Sequence, residues 1–154
     1  MRFEPADLER TRKVWDGRWG GFVVTPERVY GPRDVVAALA VGELGEPLAL
    51  VSWALGSEAG EVVTLDAFIS GRGYGTAALN YAEGVIRQEG RTRARLFTTN
   101  DNIRALSLYL RRGYRLVRVH LDAMDGVRQL KPDVPLIGDG GIPLTDMLEL
   151  EKRL

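Results

Sequence analysis

No cysteine occurs in the 154 residues. That excludes a disulfide framework and a thiolate nucleophile, and it leaves the redox compartment undetermined. Lysine is nearly absent as well: only Lys13, Lys131 and Lys152 are present, so the positive charge is almost all arginine. Net charge is missing too, with 21 basic and 21 acidic residues, and nothing steers the chain toward nucleic acid or an anionic membrane. No apolar run approaches the ~18–20 residues of a membrane span. The opening MRFEPADLER lacks the apolar core of a signal peptide. The expectation is a cytoplasmic protein with no nucleic-acid or membrane partner. Repeats and low-complexity segments are also lacking. What remains is ordinary, 45% apolar and 27% charged, and points to one domain over residues 1–154 with a real core.

Two strand-to-helix junctions organise this chain. The first, ISGRGYGTAAL at Ile69–Leu79, runs from a strand through a glycine turn into a helix. Gly71, Gly73 and Gly75 permit backbone angles denied to other residues and let a ligand approach the main chain. The first N–H groups of the following helix lack partners and carry partial positive charge, which suits an anion, most often phosphate. The helix stripe is Ala77, Ala78, Tyr81, Ala82, Val85 and Ile86, with Asn80, Glu83 and Arg87 on the wet side and Gly90 at the stop. The second junction, TTNDNIRALSLYLRRGY at Thr98–Tyr114, opens a helix at Asn102 whose stripe is Ile103, Leu106, Tyr109 and Leu110.

The glycine turn invites comparison with nucleotide sites. Gly73, Gly75 and Ala78 satisfy a dinucleotide fingerprint with alanine as third member. The acid expected about 20 residues on is missing, since that region reads RTRARLFTTN. There is no Gly-Lys-Ser/Thr triplet, so neither a nucleotide-hydrolase loop nor its magnesium ligand is present. A pyrophosphate held mainly by backbone N–H groups, with no metal, fits what is left.

The remaining chain reads as scaffold. Asp7 caps a short helix with Leu8, Thr11, Val14 and Trp15 on one face. Strands begin at Phe22–Val24, interrupted by Pro26. Val35–Val41, Leu48–Leu55 and Glu61–Ile69 form an antiparallel meander joined by GELGEP and GSEAG turns. This order counts against a dinucleotide fold. Arg95–Thr99 follows the long helix and is expected parallel beside Glu61–Ile69. Tyr114–Asp122 is a strand, Ala123–Pro132 a turn or short helix, Asp133–Pro143 a loop. Leu144–Leu154 fits helix and strand equally on periodicity.

The two junctions together resemble the GNAT superfamily of acyl-CoA-dependent N-acetyltransferases. SGRGYG at Ser70–Gly75 is similar to its Gln/Arg-x-x-Gly-x-Gly/Ala loop, with Ser70 in place of Gln or Arg. Asn102, Ala105 and Tyr109 match its Asn, Ala and Tyr, and RRGY at Arg111–Tyr114 its Gly-Phe/Tyr; the match spans residues 34–122. The resemblance implies an α/β (α+β) GNAT fold: a mixed, mostly antiparallel sheet of about seven strands with helices on both faces. It makes Leu144–Leu154 a strand, and it splays Arg95–Thr99 away from Glu61–Ile69 to admit the pantetheine arm. It also implies acetyl-CoA as co-substrate and a small-molecule or peptide amine as acceptor.

Roles follow from the resemblance. Main-chain groups of Ala67, Phe68 and Ile69 would pair with pantetheine and polarise the thioester carbonyl. Arg72, Gly73, Tyr74, Gly75 and Thr76 would hold the pyrophosphate, with Asn102 and Ala105 also on the cofactor side. Tyr109 is the acid: a phenol of pKa ~10 can protonate a thiolate of about 8.5. Glu61 is the base, with Asp66 its rival and a water chain a third route. Odd spacing puts those two acids on opposite faces of one strand. His120 is read as structural. Trp15, Trp19 and Tyr30 are acceptor-site candidates or, as readily, core residues. Without cysteine, transfer is direct to a primary amine. The alternative is a non-catalytic acyl-CoA-binding or interaction domain of the same fold, and a nicotinamide oxidoreductase comes third. A homodimer through the C-terminal strand is compatible with the sequence, though no residue points to it.

Overall fold

The computed structural model, which describes all 154 residues, opens on a strand that the sequence pattern did not reveal. This strand, β1 (Arg2–Pro5), pairs antiparallel with β4 (Val36–Val41), Phe3 opposite Ala40. Four residues ending in proline carry no periodicity, so only the tertiary partner defines it. The chain is mixed α/β, and its larger sheet has seven strands, mostly antiparallel. Two units compose it: Met1–Val23, Tyr30–Ala94 and Arg153–Leu154 make the first, Val24–Val29 and Arg95–Lys152 the second.

In the first unit, β4, β5 (Pro47–Leu55) and β6 (Ala59–Ala67) form the expected meander. Its two faces take different helices. One carries small residues, Ala38, Ala40 and Ala49, all buried, beneath Ala78 and Ala82 of α2 (Tyr74–Gln88). Small side chains on both surfaces let helix and sheet approach closely. Gly60 shows how closely, since a Cβ there would lie 2.6 Å from Ile86 Cγ2. Tyr81 of α2 stacks on Phe3 and meets the edge of Trp53.

The other face lies under α1 (Leu8–Arg18), begun as expected by Asp7, whose Oδ1 accepts from Arg10 N–H at 2.8 Å. Val14 of α1 packs on Leu39, Val41 and Leu50. Trp15 and Tyr30 lie in a buried cluster with Val23 and Val63, which makes them core residues. A short ribbon, β2 (Val23–Val24) with β3 (Val29–Tyr30), follows α1.

One irregularity in β6 decides which side chains face α1. The register pairs Leu50 with Asp66, Ser52 with Thr64, Trp53 with Val62 and Ala54 with Glu61, leaving Val63 as an extra residue. Such a bulge breaks the two-residue alternation. Leu50, Ser52 and Ala54 share a face of regular β5, so their partners Asp66, Thr64 and Glu61 share it too. The expectation of opposite faces for Glu61 and Asp66 is therefore corrected. Ser52 and Thr64 are joined across the bulge by their hydroxyls at 2.6 Å, and Thr64 N–H donates to Ser52 Oγ at 3.1 Å.

In the second unit, the strand β7 (Arg93–Thr99) leads into α3 (Ile103–Arg111) and then β8 (Arg115–His120). The helix α4 (Ala123–Leu130) and a loop precede β9 (Met147–Arg153), which pairs antiparallel with β8. The ambiguous C-terminal segment is thus a strand. Met124, Val127, Leu144 and Met147 form the core beside Phe97.

Two helix stripes differ from expectation. Glu83, read as wet, is buried on α2 beside Ala82 and Ile86. An alanine-rich helix marks its inner face weakly, because alanine suits either side. On α3, Ile103 and Leu110 are exposed and only Tyr109 is buried. The inner stripe runs instead through Asn102, Ala105, Leu106 and Tyr109, also at helical spacing.

Candidate active site

Strand β6 ends at Ala67, two residues earlier than expected. The connection to α2 is therefore six residues, Phe68 to Gly73. Phe68 N–H donates to Leu48 O at 2.9 Å, so this donor serves the sheet. Phe68's ring packs against Leu39, Val41 and Leu50, with the Arg18 guanidinium 4.9 Å above its centroid.

Past Phe68 the backbone turns through two left-handed residues, Gly71 at φ +74 and Gly73 at φ +78. A Cβ at either would meet nothing within 4 Å, so conformation alone demands glycine there. Gly73 is also the N-cap of α2, and it has no side chain to cap the helix. No acidic residue stands in the first turn, and the first intrahelical bond is Ala77 N–H to Gly73 O at 3.0 Å. The N–H groups of Tyr74, Gly75 and Thr76 precede that bond, at the positive end of the helix dipole. Ser70, Gly71, Arg72 and Gly73 are exposed beside them. Gly75 sits against Ala67, where a Cβ would make an ordinary 3.7 Å contact.

Four polar side chains are buried on the α1 face of β5 and β6: Ser52, Glu61, Thr64 and Asp66. Asp66 accepts the Trp19 indole N–H at 3.0 Å on each oxygen. Burial pushes its carboxyl up, while the Trp19 bond and the Arg18 charge pull the other way. A carboxyl so placed is a better proton acceptor than an exposed one. Sequence reasoning missed the Trp19–Asp66 pair, because 47 residues separate its members and nothing local signals it.

In the second unit, Asn102 is the N-cap of α3, its Oδ1 accepting from Ala105 N–H at 3.1 Å. The Asn and Ala of the motif are thus physically one cap, which fixes where α3 begins. About two turns beyond the cap, Tyr109 is buried with its ring edge-on to Tyr114, centroids 5.9 Å apart. Ahead of the cap, Asp101 accepts from Thr99 Oγ1 at 2.6 Å and Asp139 N–H at 3.0 Å, tying the junction to the late loop. His120 Nε2 lies 2.9 Å from Glu149 Oε1, and its ring meets Phe97 edge-on. His120 edges a cavity of about 590 Å³ lined also by Val24, Arg118, Asp122 and Val127.

The acetyltransferase (GNAT) family model matches residues 11–114. The chain is 41% identical over 151 residues to the YxbD protein of Bacillus subtilis (strain 168), covering 97% of this chain and 94% of that one. Among solved structures, the IAA acetyltransferase from Bacillus cereus ATCC 14579 gives a TM-score of 0.78 at 17% identity, covering 99% of each chain. A GNAT family acetyltransferase from Elizabethkingia anophelis with acetyl-CoA bound gives 0.73 at 16% identity, covering 99% of this chain and 97% of that one. At such identities these two bear on the fold alone. The family-model match and the Bacillus subtilis relative carry the assignment: this chain belongs to the acetyltransferase (GNAT) family.

Proposed function

We propose that the chain, acting as one domain over residues 1–154, transfers an acetyl group from acetyl-CoA to a primary amine of a small molecule or peptide. The observation that carries this reading is the start of α2. There, Gly71 and Gly73 in left-handed conformation lead to a helix end with no side-chain cap and no first-turn acid. Such an end suits a pyrophosphate. The N–H groups of Gly73, Tyr74, Gly75 and Thr76 would hold it, with Arg72 adding charge. Main-chain groups at Ala67, Phe68 and Ile69, at the end of β6, would orient the pantetheine arm. Asn102 and Ala105 fix the start of α3.

Acetyl-CoA supplies an activated acyl group as a thioester. Tyr109 then serves as the acid that protonates the departing thiolate. Glu61 takes the proton from the acceptor ammonium. Asp66 is the second reading for that base, favoured by the burial that raises its carboxyl. The amine nitrogen gains the acyl carbon and the carbon–sulfur bond breaks. One ammonium proton goes to the carboxylate, Tyr109 gives its proton to the thiolate, and the second amine proton restores Tyr109. The cytoplasm is the compartment this reading expects; no helix is long and apolar enough to cross a membrane.

Free-thiol release on mixing the protein, acetyl-CoA and a panel of primary amines is the test. Tyr109→Phe should lower turnover by about 10²-fold or more with acetyl-CoA binding retained. Binding without thiol release from any amine would make the chain an acyl-CoA-binding domain, and an unchanged Tyr109→Phe rate would remove Tyr109 from the mechanism. Glu61→Gln and Asp66→Asn decide the base: the one that flattens the rise of rate with pH holds the role.

A further inference from the structure

A second cavity, of about 610 Å³, lies within the first unit, under a stripe of α1 that the reaction does not use. Arg10, Lys13, Val14, Gly17 and Arg18 recur three or four residues apart and all line it. Its floor is apolar: Leu39, Val41 and Leu50, all buried, with Phe68 at one side. Small-molecule sites of this apolar kind run to roughly 300–1,000 Å³.

Two independent features say what would fill it. The first is charge. Among the lining side chains three cations meet one carboxylate, Glu4, which is bonded to Arg10 at 2.6 Å, while Arg18 also bears on the Asp66 carboxyl. Lys13 joins no ion pair, and Arg18 lies over the Phe68 ring. The second is Gly17. It stands in the last turn of α1 without positive φ, and a Cβ there would meet nothing within 4 Å. Glycine in a helix costs about 1 kcal/mol against alanine, and neither backbone geometry nor crowding requires it here. Its missing side chain leaves the helix wall of the cavity open.

We propose that this cavity is a binding site for a small amphipathic carboxylate. The apolar body lies against Val14, Pro47 and Phe68, which cover the closed cluster of Leu39, Val41 and Leu50, and the head meets Lys13 and Arg18. Guanidinium pairs with carboxylate in two parallel hydrogen bonds, and ammonium adds a point charge.

The test is calorimetric titration of the full chain with octanoate, and with octylamine as a probe of equal body and opposite charge. Octanoate should saturate one site and octylamine should not bind. Lys13→Glu reverses an exposed charge, and Gly17→Phe fills open space. Each should weaken octanoate at least about tenfold with the far-ultraviolet circular dichroism and thermal midpoint retained. Equal binding of the two probes, no binding of octanoate at millimolar concentration, or octanoate affinity indifferent to Lys13→Glu would overturn the proposal.

Discussion

Trp19 donates its indole N–H to both carboxylate oxygens of Asp66, 3.0 Å from each, although α1 and β6 approach one another only through the fold. Because burial outweighs this bond, the Asp66 carboxyl titrates above its ordinary value of 3.8. The native state thus holds the Asp66 proton more tightly than the unfolded chain does. Its contribution to stability falls as pH rises from 3.8 through the folded value. The penalty is absent below that window and complete above it. Asp66→Asn keeps an oxygen for Trp19 and removes the charge. Urea unfolding between about pH 4 and pH 8 should show the variant gaining on the parent as pH rises. A constant difference would mean that native Asp66 ionises without cost.

The Ser52–Thr64 pair should hold the bulge. Ser52→Ala deprives both the Thr64 hydroxyl and the Thr64 N–H of their partner in a site where Ser52 is fully buried. Loss of about 1–3 kcal/mol is expected for buried groups left unsatisfied. Equilibrium unfolding reads it directly, and a change under ~0.5 kcal/mol would show that the bulge does not depend on this bond.

Gly73→Ala isolates backbone geometry from space. The position is open but left-handed, at φ +78, so strain of roughly 1–2 kcal/mol is expected. Acetyl-CoA affinity should fall with it, as the α2 N–H groups are displaced. Unaltered affinity in a calorimetric titration would detach the loop's shape from binding.

At the second junction, Asn102→Ala should cost about 1 kcal/mol through loss of the α3 cap, while Asn102→Asp, which keeps the accepting oxygen, should restore most of it. If Asn102→Asp is as unstable as Asn102→Ala, the cap is not what Asn102 contributes.

The junctions were legible because their signals are local. Asp7 and Asn102 cap the helices after them, and Gly73 both turns the chain and starts α2, each decided within a few residues. The meander likewise followed from its two turns. What escaped depends on neighbours distant in sequence. Strand β1 exists by virtue of β4. Glu83 is buried because of where α2 lies, and Ile103 and Leu110 are exposed because the inner stripe of α3 runs through Asn102 and Ala105. The face of Glu61 escaped for a different reason. Counting residues assumes an unbroken alternation, and nothing in GEVVTLDA announces that Val63 interrupts it.

That interruption makes β6 a strand in two phases. Its far half, with Asp66 and Thr64, is in step with Glu61 only because one surplus residue intervenes. Removing Val63 would shorten the strand by a residue without shifting its register on β5. It would make the alternation regular and take Val63 out of the buried cluster of Trp15, Val23 and Tyr30, with Glu61 still opposite Ala54 and Gly60 still opposite Leu55. Relatives with a single-residue gap at this point would therefore keep their acid on the α1 side and differ in what packs against Trp15.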